Sequence, residues 1–331
     1  MGKKTLSIGG ATYDLFVRLP SDVIHECENA ESFALPLGAK IRIDQLIETC
    51  GGGASNTSVG FSRLGCDAYF EGIVSSDQWG EKITETLSKE GVDTSCVTIV
   101  EDEVSSFSII LSGSSGERVI LYESGTNTHL LDATFDKQKL SQVDWVYLNH
   151  IQEDSCEIED DIMEMLARSG GPKLSWNPGG CQLDKGCDTK SNSALLKHTD
   201  LLLLNKEEAL SFTSTANVEE AITTLLALGV ANIAISDGPR GSTASDRHKI
   251  YRCPVVSGIE ILDTTGAGDA FGTGVTWGLL SGLSLPDALK TGTINAASVV
   301  GAIGAQTTLL TDIEINARLK TSDLTVTSDS L

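Results

Sequence analysis

The stretch DTTGAGDAFGTG, residues 263–274, decides how this chain is read. Gly266, Ala267 and Gly268 let the backbone turn tightly and approach a ligand, and the apolar spacing of Phe271, Val275 and Leu279 predicts a helix directly after them. The free amides of such a helix start face an anion. Asp269 falls in the same first turn, where the helix dipole favours an ionised carboxylate. A carboxylate beside an oxyanion site is the arrangement of a general base. The competing reading is a glycine-rich turn with Asp269 as a helix cap, which for an isolated GxGD is the commoner outcome. The rest of the chain must decide between them.

The 331 residues are 40% hydrophobic, enough to bury a large α/β core as one domain or two smaller ones. A net charge of -22 argues against nucleic acid or an anionic membrane as partner, since either needs a basic surface, so any phosphate site must be local. No charged start precedes an apolar segment and no apolar run approaches the length of a membrane span, which leads to the expectation of a cytoplasmic protein. Eight scattered cysteines without a CxxC pair are expected to be free thiols, with Cys181 and Cys187 too poorly supported by histidines to suggest zinc.

Residues 5–10 read as a buried first strand ending in Gly9 and Gly10, and Asp14 follows it, where ligands of open α/β sheets gather. A solvated loop aspartate is the alternative. Short strands are expected near 14–19, 40–48 and 105–124, the last as a hairpin about SGSSGE, and together they suggest a small separate sheet acting as a lid. GGGASN, residues 51–56, precedes an amphipathic helix ended by Gly65; it is neither a Rossmann nor a Walker loop, and Asn56 beside bare backbone suits a polyol better than a phosphate. From residue 143 strands and helices alternate in βαβ rhythm, implying a parallel, three-layer sheet. NKEE begins where the strand 201–204 stops, so Asn205 and Glu208 can face a hydrated Mg2+, or else cap the helix. SDGPRG, residues 236–241, likewise follows a strand and offers a hydroxyl and two glycines to a flat or phosphorylated ligand, or forms only a tight turn. Residues 316–331 are expected to be a polar, frayed tail beyond a domain of residues 1–315.

GGGASN, NKEE, SDGPRG and DTTGAGDAFGTG, in that order, resemble the ribokinase-like (PfkB) family of sugar and nucleoside kinases. The resemblance spans about residues 5–310; the last motif is the most specific and GGGASNTSVGFSRLG moderately so. It implies a three-layer α/β ribokinase-like fold with a β-sheet lid, and an ATP-dependent, Mg2+-requiring kinase acting on a hydroxyl. By position Asp269 is then the catalytic base, and Gly266, Ala267 and Gly268 form the anion hole. Asn205 and Glu208 match the motif that holds Mg2+ through water; Ser236, Gly238 and Gly241, with Gly268 and Asn295, match nucleotide contacts. Asp14, Thr12, Gly51, Gly52 and Asn56 match acceptor contacts. Asp263 and Thr265, with Ala302, Gly304 and Thr308 as weaker matches, correspond to a monovalent-cation site in the K+-activated members. Gly53 stands where ribokinases have Lys and Thr12 where they have Asn, which counts against ribose; Asn295 lies nearer the Gly304–Ala305 pair than its counterpart.

The expectation is therefore a sugar kinase, with an adenosine-type nucleoside kinase as the alternative. A non-catalytic sugar- or nucleotide-binding protein is disfavoured by the intact Asp269 and glycine cradle, and an NAD-dependent dehydrogenase by the lack of GxGxxG after the first strand. A lid built of open strands leaves edges and an apolar face to cover, which suggests a homodimer through it.

Overall fold

The computed structural model describes residues 2–20, 24–27, 30–33, 35–112, 118–132, 141–150, 159–166 and 170–331. Most of the hairpin turn SGSSGE, and Cys156, lie outside them. Nine strands make one large sheet, in the order Thr327–Ser330, Lys249–Cys253, Ser242–Ser245, Asn232–Ser236, Leu201–Asn205, Lys173–Trp176, Trp145–Leu148, Lys4–Ile8 and Asp67–Glu71. From Asn232–Ser236 to Asp67–Glu71 every pairing is parallel. The remaining three are antiparallel, which corrects the expectation of a parallel sheet throughout. For two of them the reason is connection length: the turns at 237–241 and 246–248 are too short for the crossover that parallel strands require; the third, Thr327–Ser330, returns to the sheet edge after three helices.

Alternation along each strand sends successive side chains to opposite faces, and this builds the three layers. Val146, Leu148, Leu202 and Leu204 join Trp176, Phe212 and Ile222 in one core. Trp145, Tyr147, Leu201 and Leu203 join Phe61, Phe271, Val275 and Trp277 in the other. The helices Gly53–Arg63, Ala267–Leu280 and Leu285–Val299 cover this second face. Strand order reverses at Lys4–Ile8, whose neighbours come from residues 67–71 on one side and 145–148 on the other. The crevice outside the carboxyl ends of strands at such a reversal is where open α/β sheets bind ligands.

The chain leaves that crevice to build the lid, a four-stranded sheet ordered Arg118–Glu123, Phe107–Ser112, Thr12–Arg18 and Gln45–Gly51. Asp14 lies inside the expected lid strand, which begins at Thr12, and not in a solvated loop. The strand expected near 40–48 is placed differently: it runs from Gln45 on to Gly51, because it pairs along all of Thr12–Arg18 and sets Gly51 opposite Thr12. A further small hairpin, Ile24–Cys27 with Ala30–Phe33, was not anticipated.

The C-terminal end is also corrected. Helix Asp312–Thr321 is followed by Thr327–Ser330, which pairs with Lys249–Cys253 at the edge of the large sheet. Edge pairing is carried by backbone hydrogen bonds, so a polar sequence can supply it, while Leu324 and Val326 anchor the approach in the core. Cys50, Cys66, Cys96, Cys187 and Cys253 are free thiols as expected. Cys181 is instead disulfide-bonded; spatial approach decides such pairing, and spacing in the chain does not reveal it. Among the described residues no helix is long and apolar enough to cross a membrane.

Candidate active site

The cradle forms as the glycines demand. Gly266, at φ 76°, precedes the helix Ala267–Leu280, and a Cβ on it would lie 2.4 Å from Ala305 Cβ, so only glycine lets the turn rest on the 305 backbone. The amide of Ala267 donates to Thr264 O at 3.2 Å, which removes it from the expected anion hole. The amides of Gly266 and Gly268 have no such partner among the described residues, and the helix start still presents an anion site.

Asp269, half-buried in the first turn, accepts a hydrogen bond from Asn56 Nδ2 at 2.8 Å. Burial raises its pKa; the Asn56 hydrogen bond and the positive field of His150 pull it back down. The Asn56 amide is itself oriented: Gln306 Nε2 donates to Asn56 Oδ1 at 3.0 Å and to Ser55 Oγ at 2.8 Å. With its oxygen engaged by Gln306, Asn56 can only turn its NH2 group toward the carboxylate. Asn56 therefore holds the Asp269 carboxylate directly, a contact beyond the acceptor contact expected of it.

Asp14 stands on the lid side of the crevice. A Cβ on Gly51 would lie 2.2 Å from Asp14 Oδ2, so the first glycine of GGGASN exists to admit this carboxylate. Asp14 is buried, and its pKa is pushed up to about 6, chiefly by desolvation; a Ser108 hydrogen bond opposes this and the negative charge of Asp263 adds to it. Beside it the hydroxyl of Thr12 is buried without a partner, as is Oδ1 of Asn127, whose Nδ2 donates to Ala11 O at 3.2 Å. Unpartnered buried polar atoms at the mouth of a crevice mark where a polar ligand belongs. Gly52 lies in the same turn, at φ 88°.

Asn205 and Glu208 form a capping box: Asn205 Oδ1 accepts from the Glu208 amide and Glu208 Oε2 from the Asn205 amide, both at 2.8 Å. The capping alternative thus holds, yet one Glu208 oxygen has no partner among the described residues, and the motif lies in register beside Ser236. Ser236, Gly238 and Gly241 line a cavity of about 450 Å³ that ends at Ala267 and Gly268 of the cradle. Its other wall is the apolar segment 255–261 and one face of the helix Leu285–Val299, including Ala296. Asn295 is not on that face. It is fully buried, donates to Ala270 O at 2.8 Å and accepts from the Leu310 amide at 3.2 Å, so it braces the cradle helix instead of meeting a nucleotide.

The expected monovalent-cation residues converge only in part. Asp263 Oδ1 accepts from the Thr265 amide and hydroxyl, at 3.0 and 2.7 Å, and Oδ2 from the Gly304 amide at 3.3 Å. The Thr308 hydroxyl donates to Ser298 O, and the Ala302 amide to Val299 O. Asp263 also receives Arg118.

Gln306, Asn127 and Arg118 were not singled out from sequence. Asn127 had a signal, a GTN turn directly after the last lid strand; the other two are set by contacts across more than a hundred residues.

Residues 22–312 match the family model described as pfkB family carbohydrate kinase. A ribokinase of Haemophilus influenzae is 27% identical over 270 residues, 79% of this chain and 84% of its own. Two solved structures share the fold: Arabidopsis thaliana ribokinase complexed with ribose and ATP, at TM-score 0.80 and 22% identity, covering 97% of this chain and 100% of its own; and Methanocaldococcus jannaschii nucleoside kinase, at 0.76 and 20%, with the same coverage.

Proposed function

The chain belongs to the pfkB family of carbohydrate kinases, phosphotransferases with an alcohol group as acceptor, and from that premise we propose that it transfers the γ-phosphoryl group of ATP to a hydroxyl of a sugar or sugar-like compound. The carrying observation is Asp269: a carboxylate at a glycine-built helix start, held by Asn56 and next in the chain to Ala267 and Gly268, which line the end of a cavity of about 450 Å³. Asp269 takes the proton of the acceptor hydroxyl, the oxygen attacks the γ-phosphorus in line, and the unpaired amides of Gly266 and Gly268 hold the charge that develops. Asp14, Thr12 and Asn127 hold the acceptor's other hydroxyls, and the lid that carries Asp14 excludes water, the competing acceptor.

The nucleotide lies in the cavity between Ser236–Gly241 and the cradle, with its phosphates toward Gly268. Mg2+ when bound neutralises charge on the phosphates; Glu208, with one uncommitted oxygen, and Asn205 suit it through water, a hydrated mode consistent with the lack of any cluster of three or more acidic, histidine or cysteine ligands among the described residues. The lid carries exposed Ile120 and Leu121, at 51% each, on its outermost strand, and a homodimer that covers them completes the reading.

The test is an acceptor screen over free sugars, sugar acids and nucleosides, coupled to ADP release. Turnover with a sugar supports the proposal; turnover with nucleosides alone moves the protein to the nucleoside kinases; no acceptor-dependent ADP release removes the kinase reading.

A further inference from the structure

Arg118 opens the outermost lid strand, yet its Nη1 donates to Asp263 Oδ1 at 2.8 Å across 145 residues of sequence. Asp263 is 6% exposed and Arg118 34%. Among the described residues Arg118 is the ion-pair partner of this buried carboxylate, and a buried carboxylate without a partner is costly. Asp263 in turn fastens Thr265, on the cradle loop, to Gly304, whose neighbour Ala305 supports Gly266. The charge on Asp263 therefore bears on the two turns that define the anion hole.

A monovalent ion at this position would need lone pairs. Oδ1 already accepts three donors, the Gly304 group directed at Oδ2 is an N–H, and the Thr308 hydroxyl is spent on Ser298 O. This donor set fits a guanidinium and does not fit K+.

We propose that Arg118 is the built-in cation of this kinase, brought to Asp263 when the lid closes, so that the cradle is fully braced only over a bound acceptor. Arg118 is a positioning residue, acting on the anion hole through Asp263. With the lid raised, Asp263 keeps only its N–H and O–H donors and loses its countercharge, which couples lid closure to cradle order. The coupling guards ATP: the amides reach their working geometry when the crevice is shut to water. This inference rests on the kinase reading above.

The experiment compares wild type with Arg118→Ala at constant ionic strength in K+ or tetramethylammonium, with and without low millimolar guanidinium. Wild-type turnover is expected to be equal in the two salts. The variant is expected to lose roughly 10- to 100-fold in kcat/KM, and to regain rate with guanidinium and not with K+ or tetramethylammonium. Thermal melting provides a readout free of turnover: low millimolar guanidinium should raise the melting temperature of the variant and not that of wild type, and K+ should move neither relative to tetramethylammonium. Wild type activated or stabilised by K+, a variant at full rate, a variant restored by K+, or a loss that guanidinium does not restore overturns the proposal. A wild type that turns over no acceptor condemns the kinase reading, while the melting comparison still judges the cation.

Discussion

Asn56→Leu separates two jobs that one residue holds. Leucine approximates the volume of Asn56 and removes the donor that Asp269 accepts at 2.8 Å. A hydrogen bond to a charged group is worth about 1.5–3 kcal/mol, and one pKa unit corresponds to about 1.4 kcal/mol. The donor favours the ionised form, so its loss raises the Asp269 pKa further, by an amount set by that energy. The base is active when ionised; the acidic limb of kcat/KM against pH should move to higher pH by that amount, with the plateau less affected. The charged group that acts on Asp269 is His150, whose positive field works in the same direction as Asn56; the negative charges of Asp269 and Glu208 both raise the pKa of the buried Tyr147 hydroxyl. His150→Gln is therefore measured alongside, to separate its field from the effect of the Asn56 hydrogen bond. Gln306→Leu, which frees the Asn56 amide to rotate without removing it, should give a smaller shift of the same sign. The assay is ADP release at limiting acceptor across a pH series that spans the acidic limb. An unmoved limb with a raised acceptor KM would refute the reasoning and leave Asn56 as an acceptor ligand alone.

Asp269→Asn preserves the shape of the helix start and removes the base; turnover should fall by roughly 10²- to 10⁴-fold with ATP binding retained, as checked by nucleotide titration. Glu208→Gln should raise the Mg2+ concentration for half-maximal rate and leave acceptor KM little changed, whereas an unmoved Mg2+ titration reduces Glu208 to a helix cap. Asp14→Ala should cost about 1.5–3 kcal/mol of kcat/KM for the acceptor without weakening ATP; a loss of ATP affinity instead would mean the two ends of the site are reversed. Because Asp14 titrates at about 6, acceptor KM in wild type should fall as pH rises through that value. The sign for stability is opposite: the folded pKa lies above the ordinary 3.8, so the fold favours protonated Asp14, and that contribution is present below 3.8 and lost as pH rises through about 6, visible as a declining melting temperature over that window.

The glycine motifs and the strand and helix rhythm were legible without coordinates because each depends on local backbone chemistry. A helix that starts at the GAGD glycines, a capping box in NKEE and a turn in SDGPRG follow from φ, ψ and neighbouring donors, and the structure has the helix beginning at Ala267, the box at Asn205–Glu208 and the turn at 238–240. Partial alternation also located three of the four lid strands, while the fourth slid toward Gly51 because pairing register belongs to both strands together. Local pattern could not tell an antiparallel from a parallel edge, nor reveal that a polar end would find Lys249–Cys253 to pair with. The site divides in the same way. Asp269, Asp14, Glu208 and the glycines carry their chemistry in their own motifs. What each polar atom faces is set by partners far along the chain: Gln306 on Asn56 at 250 residues' separation, Asn295 turned onto Ala270, Arg118 on Asp263. A donor or acceptor acquires its role from the one group that reaches it, and only the packed tertiary structure decides which group that is.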